Sequence, residues 1–297
     1  MAITTGQQVR YFPAGWSERK FHGRPDAGAT FPDPDTNSIG GWIYTSNSEI
    51  DFQQDGVGAL NFDKDGNVLD QRMVLQNSSM NGGGGRTPWS ILLTCEEIEF
   101  NGIFYQVDPT GERDAQVLTL GSDGGRWESF AYDVRSQDKP RFFATEDHSK
   151  GTVRRFTPHF ANWQDPWNIL HRNGTRDFLM IFPDKTLNEG TYIWTNDKRA
   201  EREQCQAVLS DDRKGIDVYE NQMFFVCKKM KIMFVLDLNG NTYYNRTTKN
   251  GLFDGKLDSI DHILGDPRGM LYFTEKDGVD SGVHAPLTWS LVVLYYI

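Results

Sequence analysis

The sequence predicts an all-β chain folded as a β-propeller of five to six blades, and three observations predict it. Short apolar or alternating runs sit between Gly, Asp, Asn and Pro punctuation, the pattern of many short strands. A unit of polar residue, short strand, turn, apolar second strand and polar pair recurs. It is seen in ESFAYDVRSQDKPRFFATEDHSKGTVRRF from 128, KGIDVYENQMFFVCKKMKIMFVLDL from 214 and IDHILGDPRGMLYFTEKDGVDSGVH from 260. SILLTCEEIEFNGIFYQVD from 90 matches its second half. The apolar second strands end near 95, 146, 227 and 275, about 51, 81 and 48 residues apart, a period near 50 with one insertion. Propeller blades of four strands have that period, and at about 50 residues each the 297 residues supply five to six. A β-sandwich with accidental similarity among its segments is the competing architecture.

Residues 1–40 read as an irregular lead-in and 41–297 as one propeller domain, without a linker or a composition break. GWIYTS (41–46) and VGALNF (57–62) are strands, and DKDGN (63–67) carries the Asp-Gly of a hairpin turn. NGGGGRTPW (81–89) is either a flexible turn or a close backbone approach to a ligand, since four successive glycines lack Cβ atoms; no GK[ST] follows, so it is not a phosphate loop. SILLTC (90–95) and IFYQVD (103–108) are strands. The inserted region, 158–200, reads as loop, and 162–181 and 196–209 resemble helix or long loop. FFVC (224–227) is a core strand and LNGN (238–241) a turn. The terminal VVLYYI is apolar enough for a closing strand and equally fits a shortened product.

Thirty-one Lys+Arg against 41 Asp+Glu give a net charge of −10, which argues against nucleic acid as a partner, because phosphate contacts need a basic face. No apolar run approaches the roughly 20 residues of a transmembrane helix. The N-terminus lacks the basic and apolar regions of a signal peptide. Cys95, Cys205 and Cys227 are too few for a disulfide framework, and no CxxC or CxxH pair suggests zinc.

The repeat also carries chemistry. It places Glu128 and Asp261 at the start of one strand and Glu96, Glu97, Glu146, Asp147 and Glu275 at the end of the next. Strand ends in successive blades converge on the central channel, so these acids either surround a cation or are solvated one by one. Crowded carboxylates repel unless a cation lies between them, and oxygen donors without His or Cys clusters select Ca²⁺ or Mg²⁺. Cys95, after an apolar run, reads as packed core. His148 and His262, beside acids, read as surface or packing residues.

These motifs resemble the PhoX-type alkaline phosphatase family across residues 40–284. TPWSILLTCEE (87–97) resembles its TPWxTWxTCEE segment, GGRWESFAYD (124–133) its GRFxHEAVxVD strand, and FFATEDHSKGTVRRFTP (142–158) its YxTEDxxxGxxYRFxP. KGIDVYENQMFFVCKK (214–229) and LDSIDHILGDPRGMLYFTEKDG (257–278) resemble two further family segments. GGWIYTSNSE (40–49) and GVGALNFDKDGNV (56–68) resemble a eukaryotic, algal-looking branch. The resemblance implies a six-bladed propeller holding calcium and iron, hydrolysis of small phosphomonoesters, and an extracellular or periplasm-like location. It implies metal ligation by Glu97, Glu128 and Asp261, with Glu96, Glu146 and Glu275 as further motif acids.

Departures qualify that expectation. A family cysteine that bridges iron is Gly82 here, which removes the iron ligand. In the family's Arg-x-Glu-Gly segment, the arginine contacts phosphate and the glutamate binds metal. The aligned residues are Asp212, Arg213, Lys214 and Gly215. Arg213 is thus a phosphate-contact candidate one position late. Lys214 repels metal, replaces a metal's charge, or contacts phosphate itself. The expected function is a Ca²⁺-dependent phosphatase; the alternatives are a degenerate propeller that binds a cation or phosphorylated ligand, and an interaction scaffold.

Overall fold

The computed structural model describes residues 24–35, 39–50, 55–149, 151–197, 199, 213–247, 260–265, 270–275 and 282–288. Segment 1–23, most of 196–209 and the terminal VVLYYI lie outside the described residues.

The described chain is a β-propeller with five blade units. The first holds β1 (Pro25–Pro32), β2 (Trp42–Ser48), β3 (Asp55–Phe62) and β4 (Val68–Ser78). The second holds β5 (Asn81–Arg86), β6 (Leu92–Glu96), β7 (Phe104–Val107) and β8 (Gln116–Val117). The third holds β9 (Trp127–Asp133), β10 (Arg141–Glu146), β11 (Val153–Pro158) and β12 (Gly174–Pro183), with β13 (Glu189–Thr195) added to its rim. The fourth holds β14 (Arg213–Tyr219), β15 (Gln222–Cys227), β16 (Ile232–Asp237) and β17 (Thr242–Thr247). The fifth holds β18 (Ile260–Gly265), β19 (Met270–Glu275) and β20 (Gly282–Thr288). Neighbours within each blade are antiparallel, and the innermost strands β1, β5, β9, β14 and β18 follow one another around the channel.

Apolar second strands arise because both of their faces are covered by neighbouring blades. In β10, Phe142 and Ala144 pack with Leu93, Phe104 and Trp127 toward the second blade. Phe143, pointing the other way, packs with Leu179, Phe225 and Phe234 toward the fourth. In β15, Phe224 and Val226 join Ile263, Leu271 and Phe273 of the fifth blade. Each fully buried Phe is worth about 1.5–3 kcal/mol over exposure, so alternation across two cores fixes both register and blade order.

Two sequence readings are corrected. The inserted region is not loop: after a short 3-10 helix (Pro166–His171), residues 174–183 and 189–195 are strands. β13 crosses to pair with β17, tying the rims of the third and fourth blades. The lead-in is not wholly irregular, since β1 pairs with β2 from Pro25↔Ser48 to Pro32↔Trp42. The DKDGN turn forms as read: Asp63 Oδ1 accepts from the Asp65 and Asn67 amides, with Gly66 at φ 82°. Among the described residues no helix is long and apolar enough to cross a membrane.

Candidate functional site

Each inner strand carries a register shift at the same place. The shifts lie between Pro25 and Gly28, Asn81 and Gly84, Arg213 and Ile216, and Ile260 and Ile263. In the third blade Trp127 opposes Glu146 while Ser129 opposes Thr145, which leaves Glu128 as the extra residue. Such bulges re-aim side chains. They fall on Asp26, Gly82, Glu128, Lys214 and Asp261, the second residue of each inner strand.

The bulge residue Glu128 meets two carboxylates from the ends of second strands. Oxygens of Glu97, Glu128 and Asp147 lie within 4.8 Å of one another, and all three residues are buried. Lys214, 8% exposed, donates from Nζ to Glu128 Oε2 at 3.1 Å and to Asp147 Oδ2. The Lys214 ammonium and, farther off, the Arg126 guanidinium face three acids, so the cluster is short of positive charge. Burial, the Glu128 charge and a shared Glu128 hydrogen bond push the Glu97 carboxyl up to about 11, and Lys214 partly opposes them. Glu97 is therefore the acid of the trio that holds a proton most readily in the cation-free channel. Arg126 forms a backbone bridge with Glu97 and accepts the Asp147 amide at 2.7 Å, which locks the two strand ends together. A second acidic group, Asp26, Glu49 and Glu97, shares Glu97.

The glycine run is strand β5 rather than a turn, and its close approaches are to its own neighbours. A Cβ at Gly82 would overlap Glu97 Oε1 and come within 2.8 Å of its Cδ; one at Gly83 would overlap the Glu128 carbonyl oxygen. Asn47 Nδ2 donates to both the Gly82 and Gly83 carbonyls at 2.7 Å, while its buried Oδ1 has no hydrogen-bond partner.

Of the acids that the repeat singled out, Glu97, Glu128 and Asp147 reach the cluster. Glu96 does not: its Oε1 accepts the Ser79 amide at 3.0 Å, and it bonds the Tyr105 hydroxyl. Glu146 does not: it accepts from Arg154 Nη2 at 2.7 Å and from the Thr152 amide and hydroxyl at 3.0 Å. Side chains of Arg213, Asp261 and Glu275 lie outside the described residues. Asp147, which the repeat marked and the family resemblance did not, completes the cluster. Alternation sends the first acid of each pair into the blade, and the second, at the strand end, into the channel. Cys95 is fully buried beside Leu93, Phe104 and Trp127, and its thiol is pushed well up by burial and by nearby acids, so it is core. His148 lies 3.5 Å from Glu99 on the channel rim.

Glu146→Gln separates the structural acids from the cluster. It weakens a buried charge-assisted pair, and we expect a loss of about 2 kcal/mol, a melting midpoint lower by roughly 4–8 °C, and unchanged calcium affinity. Calorimetric melting with calcium titration checks this; a lost calcium response would make Glu146 a ligand.

No family model matches the chain, and no curated protein matches it significantly. Solved structures do match. The Pseudomonas fluorescens PhoX in complex with vanadate, a transition state analogue, superposes with a TM-score of 0.67 at 12% identity, over 88% of this chain and 76% of that one. A luciferin-regenerating enzyme superposes with a TM-score of 0.50 at 11% identity, over 85% and 72%. At these identities the likeness establishes the fold, that of six-bladed β-propellers.

Proposed function

We propose that the chain is a Ca²⁺-dependent phosphomonoesterase of PhoX type with a reduced metal complement, in which Glu97, Glu128 and Asp147 hold the cation. The observation that carries this reading is the trio of buried carboxylates within 4.8 Å, all on bulged or terminal residues aimed at the channel. The donor set fits calcium, which takes several oxygen ligands, carboxylates and carbonyls among them. It does not fit the family's iron, because Gly82 brings no thiolate and Cys95 is turned into the core. Asp261 and Glu275, at matching register in the fifth blade, are proposed as additional ligands, and Arg213 as a phosphate contact. The vanadate complex of the structurally similar PhoX supports a phosphoryl substrate.

A bound cation would polarise phosphoryl oxygens and stabilise charge that develops during displacement. This chain's residues do the rest. Lys214 holds Glu128 and Asp147 in place and supplies positive charge that a second cation would otherwise bring. Burial keeps bulk water out, so these charges act through a low dielectric. The test is release of p-nitrophenol from its phosphate ester, in chelator and after calcium is restored. Calcium-dependent release that is lost in Glu128→Gln is the expected result. Lys214 within the cluster and the missing thiolate favour a second reading, a channel that binds cation and phosphate without turnover. Calcium binding without hydrolysis would select it over the phosphatase.

A further inference from the structure

We propose that Arg126 is an anion-recognising group of the channel, a side chain that binds a phosphoryl dianion beside the acidic cluster in addition to the Arg213 contact proposed above. The inference deepens the cation-and-phosphate reading above and rests on it. A dianion cannot approach Glu97, Glu128 and Asp147 on its own, because like charges at a few ångströms repel. It needs positive charge on the open side of the cluster. Lys214 is buried and donates to Glu128 and Asp147, so its ammonium is turned toward the acids. Arg154 is buried in the blade between Asp123 at 2.8 Å and Glu146 at 2.7 Å.

Arg126 differs from both. Its backbone is fixed at the channel by the bridge to Glu97 and by the Asp147 amide. Its side chain is 40% exposed, and Nη2 stands 3.6 Å from Glu97 Oε2 and 4.0 Å from Asp147 Oδ2, both beyond hydrogen-bond length. Its buried Nε has no hydrogen-bond partner. The guanidinium is thus attracted to the cluster without being bonded into it. Arginine's planar fork suits bidentate contact with phosphate. The neighbouring acids orient the side chain in the meantime.

The two roles of the site have opposite dependence on this residue, and that makes the proposal testable. Titration calorimetry would measure Ca²⁺, then inorganic phosphate with calcium saturating, then phosphate in chelator, on wild type, Arg126→Ala and Arg126→Lys. Removing a cation beside the carboxylates leaves calcium affinity equal or a few-fold tighter. Removing the phosphate donor weakens phosphate roughly tenfold or more, with Arg126→Lys intermediate. A structural role would lower both affinities together with the melting midpoint, and that outcome overturns the proposal. So does unchanged phosphate affinity in Arg126→Ala. Wild type that binds calcium but no phosphate in either condition overturns this inference and leaves the cation site standing. Wild type that binds no calcium yet binds phosphate through Arg126 supports the inference and overturns the cation site.

Discussion

Lys214→Met should lower the stability of the chelated protein by about 3–5 kcal/mol, the cost of removing one partner from a buried ion pair. Lys214 Nζ lies between Glu128 and Asp147, and all three residues are less than a tenth exposed. Methionine keeps the length and apolar stem but leaves the two acids facing each other and Glu97. The midpoint in chelator should fall by roughly 6–15 °C. Calcium should then recover more stability in the variant than in wild type, because the cation enters a cluster with one positive charge fewer. At a hundredfold excess over its dissociation constant, a ligand returns about 2.7 kcal/mol. Lys214→Glu should extend the same trend, with a larger midpoint loss in chelator and a larger calcium response. Scanning calorimetry in chelator and in calcium gives both numbers. If Lys214→Met melts like wild type in chelator, the lysine does not neutralise the cluster, and the reduced-complement reading loses its physical basis.

The fold was legible because its signals are local and repeated. The Asp-Gly turn at 65–66 and the apolar runs ending near 95, 146 and 227 each coincide with a turn or a strand end of the structure. β12 and β13 were missed because the exposed Ile193 between Tyr192 and Trp194 hides the alternation of β13, and the true helical turn at Pro166–His171 made its surroundings resemble helix. The site was half legible. Repeat phase brought out Glu97 and Glu128, and the structure sets both in the channel. Phase alone could not choose between Glu146 and Asp147, because the choice depends on which neighbour follows the bulge. The same phase, once known, exposes an asymmetry. The residue after each second strand is Glu49, Glu97 and Asp147 in the first three blades, and Lys228 and Lys276 in the last two. Arg126 lies within GGRWESFAYD, but nothing in that segment singled it out. Its position emerges only when the ends of two blades are brought together.

Gly82→Ala should weaken calcium binding roughly ten- to hundredfold, the size of effect seen when a metal ligand loses its orientation. The added Cβ would occupy the volume of the Glu97 carboxylate, coming within 2.8 Å of Cδ and 3.0 Å of Cγ. Glu97 is the flexible partner, so it swings out of the trio while the strand stays in place, and the melting midpoint in chelator should change little. Gly83→Ala is the contrasting variant. There the new Cβ would overlap the Glu128 carbonyl oxygen, which is backbone and cannot yield cheaply, so this variant should lose stability outright. The same geometry bears on Gly82→Cys, which reintroduces the thiol of the resembled family. Its Cβ and the Glu97 carboxylate compete for one volume, so the substitution should cost calcium affinity before it offers a thiolate, and Gly82→Cys alone should not raise phosphatase activity. Calcium titrations on Gly82→Ala and Gly82→Cys beside wild type decide the matter. Wild-type affinity in Gly82→Ala would mean that Glu97 is not a ligand. The cation would then rest on Glu128 and Asp147, and the space beside Gly82 would be free for another donor.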